Sequence, residues 1–179
     1  MNRYAEIEHY RAAYQDPAYG MGKRRKLDVA RILGELEPGS LLDIGTGRGE
    51  CLAMALAAGH FPVHGTEVVK ELLGGNVLYA EAHHLPFPTG SHDYVTCFDV
   101  LEHLVEADIR PCLRDMYRVA SRTCIVSASE LESIHNGRDL HISRRPRAQW
   151  LQLIAECWPG AYEFRGAGRS PAFRVDKQG

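Results

Sequence analysis

The stretch "LLDIGTGRGE", Leu41 to Glu50, restricts the fold of this chain more than any other feature. A strand-like run leads directly into Gly45, Gly47 and Gly49, and a segment rich in helix formers follows them. Glycine has no Cβ, so a loop of this kind lets another molecule come close to the backbone. The stretch therefore predicts a buried strand, a ligand-binding loop and a helix in succession.

Short apolar runs alternate with helical segments along most of the chain. Strands are predicted at 40–45, 61–67, 76–82, 92–100 and 123–129, and helices at 48–59, 107–120 and 145–158. This alternation is typical of an α/β fold, a Rossmann-like open sheet that is mostly parallel and has helices on both faces. The connection 68–75 is shorter than a usual crossover, so a short helix is predicted between strands two and three. An antiparallel hairpin is predicted to close the sheet at the C-terminal end.

The segment before the first strand is predicted to hold one or two helices. The second would be "GKRRKLDVARILGEL". Its predicted apolar positions are Leu27, Ala30, Ile32, Leu33 and Leu36. Four tyrosines lie near the N-terminus, at positions 4, 10, 14 and 19, and they are compatible either with a lid over a site or with packing of a helix on the sheet.

Composition narrows the class of protein. The five cysteines lie far apart, without paired spacing, which indicates reduced core thiols of a cytoplasmic protein. The N-terminus has no apolar signal core, and no apolar run approaches about 20 residues, so no membrane partner is expected. A net charge of -2 gives no indication of nucleic acid. Two basic clusters, 23–26 and 143–147, are either solvated faces or one anion-binding edge.

Two acidic residues indicate the kind of ligand. Asp43 directly precedes the glycine loop, where a carboxylate would repel a pyrophosphate and suit a cationic or amine-bearing group. Glu67 ends the next predicted strand, about 20 residues after the loop, where an acid accepts hydrogen bonds from ribose hydroxyls. The GxGxG spacing and the lack of a following Lys-Ser or Lys-Thr exclude a P-loop. A nucleoside that carries a positive charge fits both acids.

The sequence resembles the class I S-adenosylmethionine-dependent methyltransferases, and among them the branch called methyltransferase type 11. The resemblance rests on "LLDIGTGRGE", on "GTE" at the second strand, and on "EAHHLPFPTGSHDYVTCFDVLEHL" at 81–104. It spans about residues 38–129, with a weaker echo in the helix that carries Trp150. It implies S-adenosylmethionine as the cofactor and a methyl transfer to an O, N or C atom of a small or conjugated acceptor.

The resemblance also implies a set of cofactor-binding residues. The methionine part would lie over Gly45, Thr46 and Gly47, with Asp43 near its ammonium group. The ribose and adenine would contact Glu67, Val68, Glu81, Ala82 and Leu85. Phe98 and Asp99 would lie near the sulfonium. Glu81 departs from the family pattern, which has aspartate at this position.

His103 and His141 are the candidate catalytic bases, because both are expected at the rim where an acceptor enters. A base is needed only for some acceptors, and in many members of the family the Glu-His pair at this position is structural. His83 and His84 are expected in a turn. No metal site is predicted, since no histidines or cysteines stand at metal-ligand spacing.

Residues 1–179 are predicted to form a single methyltransferase domain. Within it, 1–37 would be a helical cap or lid, 38–129 the cofactor-binding core, and 130–179 the acceptor-side helix and closing strands. Alternative hypotheses are a non-catalytic cofactor-binding or partner module, an aminocarboxypropyl transferase, and a nucleic-acid-directed methyltransferase. A nicotinamide-dependent dehydrogenase fits least well. The sequence gives no oligomeric state.

Overall fold

The computed structural model describes residues 3–164 and 170–177. The helices are α1 (Arg3–Ala13), α2 (Lys23–Gly34), α3 (Glu50–Ala57), α4 (Glu106–Val119) and α5 (Arg147–Cys157). The strands are β1 (Leu41–Ile44), β2 (Val63–Glu67), β3 (Val77–Tyr79), β4 (His92–Phe98), β5 (Ala120–Ser127), β6 (Ile134–His135), β7 (Arg138–Asp139), β8 (Tyr162–Phe164) and β9 (Ala172–Asp176). Part of the segment predicted to form the C-terminal hairpin, 165–169, lies outside the described residues.

Seven strands form one sheet in the order β3-β2-β1-β4-β5-β9-β8. β4 is the central strand of this sheet. Its neighbour β1 pairs in parallel with β2 and β4, so that Leu41 is in register with Val63 and Tyr94. β9 joins β5 antiparallel, and β8 joins β9 antiparallel. The predicted mostly parallel Rossmann-like sheet with an antiparallel hairpin is therefore confirmed.

Helices cover both faces of the sheet because successive side chains of a strand point to opposite sides. Leu42 points into a core cluster that contains Met116 of α4 and Trp150 of α5. Leu41 points into a second cluster that contains Leu33 of α2 and residues of α3. A strand buried on both faces reads as a continuous apolar run, which is why β1 is evident from the sequence.

The connection between β2 and β3 is as short as predicted. It contains a single 3-10 turn, Lys70–Leu72, instead of an α-helix. One consequence is visible at the sheet edge, where Leu78 and Tyr79 of β3 are both exposed. This edge of the sheet is only thinly covered.

The predicted apolar face of α2 is wrong in part. Leu27 is 74% exposed and Ala30 is also exposed, whereas Val29, Ile32 and Leu33 are buried. The buried stripe follows the spacing i, i+3, i+4 from position 29, and residues 27 and 30 lie off that stripe. Leu36 extends the buried stripe beyond the helix end, as predicted.

The short hairpin of β6 and β7 was not predicted. Its two-residue turn is Asn136-Gly137, and both residues have positive φ, 48° and 74°. This pair favours a type I′ turn, which matches the twist of a hairpin. An Asn-Gly pair after β5 was thus the sequence signal for this element.

The cysteines are confirmed as core thiols. All five are buried and free. No helix in the ranges 3–164 and 170–177 combines the length and apolarity needed to cross a bilayer.

Candidate active site

A cavity of about 330 Å³ lies at the carboxyl ends of the central strands, beneath α1. It occupies the place where ligands bind in open α/β sheets, next to the point where the strand order reverses between β1 and β4. All predicted site residues line it except Asp43 and Leu85. Those that line it are Gly45, Thr46, Gly47, Glu67, Val68, Glu81, Ala82, Phe98, Asp99, His103 and His141.

The glycine loop forms one wall of the cavity and requires glycine at two positions. Gly45 has φ 66°, and a Cβ on it would lie 2.5 Å from Val100 Cγ2. Gly47 has φ 56°, and a Cβ there would lie 2.5 Å from the hydroxyl oxygen of Tyr14. Both conformations are ones that side chains with a Cβ rarely adopt. The loop therefore brings bare backbone to the cavity surface, as the sequence predicted.

Glu67 is fixed at the end of β2 by backbone donors. Its Oε2 accepts a hydrogen bond from the Gly47 N–H at 2.9 Å. Its Oε1 accepts from Val68 N–H at 2.7 Å and from Val69 N–H at 3.0 Å. A carboxylate has about four acceptor sites, so lone-pair capacity remains for further donors. The carboxylate is thus oriented before any ligand binds.

Glu81 lies opposite the glycine loop and is contacted by α1. Arg3 Nη1 is 3.2 Å from its Oε2, and His83 Nε2 is 3.5 Å from the same oxygen. Arg3 also forms a two-bond contact with Asp108 of α4, with Nε at 2.7 Å from Oδ2. Arg3 therefore connects α1 to two acidic residues at one side of the cavity.

Asp99 lies at the floor of the cavity, just after β4. Its φ is 57°, a conformation that non-glycine residues rarely adopt and that is common at functional sites. Arg25 Nε is 2.8 Å from its Oδ2, and Ser127 Oγ is 3.0 Å from its Oδ1. Arg25 also lies over the ring of Phe98, at 5.4 Å from the centroid. These contacts fix the carboxylate in its unusual backbone position.

Asp43 and Leu85 are the two predicted site residues that do not line the cavity. Asp43 is 3% exposed and accepts a hydrogen bond from Thr96 Oγ1 at 2.6 Å. Burial raises its pKa to about 6. It lies beneath the glycine loop, because as the third residue of β1 it is enclosed between two neighbouring strands. Leu85 is buried in the core, and its N–H donates to Asp115 of α4.

His103, His141 and Glu102 form a cluster on the other side of the cavity. The two imidazole rings are perpendicular, with centroids 4.5 Å apart. Burial lowers the pKa of His103 to about 3, and the neighbouring His141 adds to the effect. Burial, together with the charge of Asp99, raises the pKa of Glu102 to about 8. The structure brings together the two histidines that the sequence identified separately.

Three of the N-terminal tyrosines line the same cavity. Tyr10, Tyr14 and Tyr19 contact one another, with ring centroids 5.1 to 6.4 Å apart. Tyr10 also packs edge-on against His103, at 4.4 Å. Tyr4, in contrast, is 66% exposed. These three tyrosines thus pack against each other and line the cavity at the same time.

Arg25 and Glu102 were missed by the sequence analysis. Arg25 stands four residues before Val29, so it continues the buried stripe of α2 and not its solvated face. A charged residue on an apolar stripe was therefore the available signal. Glu102 directly precedes His103, and its complete burial has no signal in the sequence.

The two basic clusters do not form a joint anion-binding edge. Lys26 pairs with Glu50 of α3, and Arg25 points inward to Asp99. The second cluster pairs with acids of its own surroundings. Those pairs are Arg144 with Asp139, Arg145 with Glu106, and Arg147 with Glu163.

Comparison with known proteins agrees with this geometry. A family model described as a methyltransferase domain matches residues 42–126. No curated protein matches the sequence.

Several solved structures share the fold over nearly the whole chain. A protein of Pyrococcus horikoshii OT3 superposes with a TM-score of 0.75 at 15% identity, over 96% of this chain and 99% of that one. The 1,6-didemethyltoxoflavin N1-methyltransferase of Burkholderia thailandensis, solved with its acceptor and S-adenosylhomocysteine, gives 0.73 at 18% identity, over 98% and 89%. An S-adenosylmethionine-dependent methyltransferase of Thermotoga maritima gives 0.71 at 17% identity, over 98% and 100%. At these identities the likeness concerns the fold.

Proposed function

We propose that this chain, which belongs to the class I S-adenosylmethionine-dependent methyltransferases, methylates a small acceptor bound in the cavity beside His103 and His141. One observation carries the proposal. A single cavity joins the glycine loop and Glu67 on one side to a cluster of imidazole and phenol groups on the other. Asp99 lies between the two halves.

The first half of the cavity would hold the cofactor. Glu67 would accept hydrogen bonds from the ribose hydroxyls while the backbone of Gly47 and Val68 keeps it in place. The bare glycine loop would lie under the methionine part. Glu81 would accept from the adenine amino group, and it would share its carboxylate with Arg3. A wall of carboxylates favours a cationic sulfonium over a neutral ligand.

The second half would hold the acceptor. We infer that residues 1–37 act as a cap, 38–129 as the cofactor-binding core, and 130–179 as the acceptor side. α1 is attached across the cavity by ion pairs at both sides. Arg3 pairs with Asp108, and Glu6 pairs with Arg138 of β7 at 2.5 Å. A cavity covered in this way favours a small molecule over a polymer.

Methyl transfer depends mainly on the alignment of the acceptor atom with the methyl group of the cofactor. The sulfonium is a good leaving group, so the protein has to hold the acceptor atom in line with the methyl group and exclude water. His103 is neutral because of its low pKa, so it is a weak base but a good hydrogen-bond acceptor for an N–H or O–H of the substrate. We assign it to orientation of the acceptor and leave His141 as the candidate base.

Calorimetric titration with S-adenosylhomocysteine tests the cofactor half. Replacement of Glu67 by Gln removes the charge that would bind the ribose hydroxyls, and charge-assisted hydrogen bonds contribute about 1.5 to 3 kcal/mol. Affinity should fall by about 10- to 100-fold. Glu163→Gln, on β8 outside the cavity, is the matched control. Absence of binding to the wild type at millimolar ligand would overturn the assignment.

Product formation tests the acceptor half. The wild-type protein is incubated with S-adenosylmethionine and with size-separated fractions of a metabolite extract, and S-adenosylhomocysteine is measured. Turnover with the low-mass fraction is the expected result. Turnover with RNA or protein fractions only would refute the small-acceptor proposal while leaving the cofactor assignment intact.

A further inference from the structure

Glu102, His103 and His141 come from two separate parts of the chain and meet at one point of the cavity wall. Glu102 and His103 belong to the 3-10 turn Leu101–His103 after β4, whereas His141 follows β7. One ligand atom from each of the three side chains lies within 4.8 Å of the other two. All three residues line the cavity.

Both histidines are held by backbone carbonyls. His103 Nδ1 is 2.9 Å from the carbonyl oxygen of Leu140, and His141 Nδ1 is 2.5 Å from that of Leu131. A carbonyl oxygen only accepts hydrogen bonds, so each Nδ1 carries the proton and each Nε2 carries a lone pair. A histidine whose Nδ1–H donates to a carbonyl is oriented as histidine ligands of metals are.

Glu102 supplies a second, independent observation. Its side chain is fully buried, and its Oε1 accepts a hydrogen bond from Ser129 N–H at 2.8 Å. Its Oε2 is buried and has no hydrogen-bond partner among the described residues. A buried carboxyl group with one oxygen left without a partner is costly unless a cation or a hydrogen-bond partner reaches that oxygen. One carboxyl oxygen of Glu102 and one ring nitrogen of each histidine lie within 4.8 Å of one another.

We propose that Glu102, His103 and His141 form a binding site for a divalent transition-metal ion. Two imidazole nitrogens and one carboxylate oxygen suit Zn²⁺, Fe²⁺ or Mn²⁺, whereas Ca²⁺ and Mg²⁺ prefer oxygen ligands alone. Ligands about 2.1 Å from a tetrahedral zinc ion lie about 3.4 Å apart. The three ligand atoms lie within 4.8 Å of one another, so they would move closer together around the ion.

The site would be of the open kind. Three protein ligands leave at least one coordination position, as in catalytic and not in structural zinc sites. That position faces the cavity, where it would take an oxygen or nitrogen lone pair of a small molecule. The link to an acceptor rests on the proposed function, but the binding of the metal itself does not. With the metal bound, His103 and His141 act as ligands, and the roles of acceptor orientation and base assigned to them above apply to the metal-free protein.

Metal binding is tested on the full chain after chelator treatment. Zn²⁺ is titrated calorimetrically, and Co²⁺ is titrated with detection of its visible absorption. One equivalent of either ion should bind to the wild type. His141→Ala should weaken binding by more than about 100-fold, because even second-shell changes cost about 10- to 100-fold. His84→Ala, an exposed histidine outside the cluster, is the matched control.

Thermal unfolding shows whether each variant is folded. Glu102→Gln is a second variant, in which glutamine has almost the same side-chain volume as glutamate. Equal zinc affinity of the wild type, His141→Ala and Glu102→Gln would overturn the proposal. Absence of stoichiometric binding to the wild type would also overturn it. A titration with S-adenosylhomocysteine in the absence of metal tests the proposed function separately, so failure of one proposal is distinguishable from failure of the other.

Discussion

Replacement of Arg25 by methionine is expected to destabilise the fold and the floor of the cavity together. Arg25 is 11% exposed, and its Nε and Nη2 lie 2.8 and 3.0 Å from the two carboxylate oxygens of Asp99. Its guanidinium also donates to Ser127 Oγ. Methionine fills a similar volume but donates no hydrogen bond, so Asp99 keeps its charge and loses its main partner.

The expected loss follows from the burial of the pair. Removal of one partner of a buried ion pair costs about 3 to 5 kcal/mol, because the other charge stays uncompensated. Asp99 is 32% exposed, so water reaches it and the lower value, about 3 kcal/mol, applies. For a chain of this length, 1 kcal/mol shifts the unfolding temperature by about 2 to 4 °C. We expect a decrease of about 6 to 12 °C.

Thermal unfolding followed by circular dichroism measures this decrease. Arg24→Met changes the exposed neighbour on the same helix and is the matched control. Asp99→Asn and the double variant complete a cycle, since asparagine tolerates the positive φ of Asp99. The coupling energy should exceed about 1 kcal/mol, as for groups in direct contact. Equal unfolding temperatures for Arg25→Met and Arg24→Met, or a coupling near zero, would refute the reasoning.

Three further outcomes are expected. Gly47→Ala should lower the free energy of unfolding by about 1 to 3 kcal/mol, because Gly47 has a positive φ and an added Cβ would meet the hydroxyl of Tyr14. Adding Tyr14→Phe should restore part of this loss. An unchanged unfolding temperature of Gly47→Ala would contradict the close packing. Burial lowers the pKa of His92 to about 4, so the unfolded chain takes up the proton first and stability should fall as pH drops from about 6.5 to 4. Urea unfolding at pH 7 and at pH 4.5 measures this fall. The decrease in the free energy of unfolding between the two pH values should be smaller for His92→Gln than for the wild type, and unchanged for the exposed control His84→Gln. Burial raises the pKa of Asp43 to about 6, so the contribution of Asp43 to stability should decrease as pH rises from about 4 to 6. If the free energy of unfolding of Asp43→Asn depends on pH in the same way as that of the wild type, this prediction is wrong.

The parallel sheet was predictable because its signals are local. β1 is a mostly apolar run, LLDI, and the glycine loop follows it without a break. Glu67 belongs to the same class of signal, since the last residue of a parallel strand lies at the ligand-binding edge of the sheet. The cofactor half of the candidate site could therefore be identified from strand ends alone.

The sequence does not show in which direction a side chain points. Asp43 and Leu85 both stand close in sequence to residues that line the cavity, yet their side chains are buried away from it. Arg25 shows the opposite case, because a position in a basic run indicated a solvated face and the helix turns it inward. The spacing of residues in the sequence shows which of them share one face of a helix or strand. Which face is turned towards the sheet depends on packing against residues that are distant in the sequence.

The acceptor half depends on long-range contacts and has no local signal. α1 reaches the cavity through pairs such as Glu6 with Arg138, which are 132 residues apart in the chain. His141 meets His103 because the segment after β7 packs against the turn that follows β4, where the Leu140 carbonyl is 2.9 Å from His103 Nδ1. The strand order reverses between β1 and β4, and ligands of open α/β sheets bind at such a point. The strand order does not determine which segments form the outer wall of the cavity there. Two proteins with the same strand ends can therefore differ in the segments that form this outer wall, which here include α1 and the segment after β5.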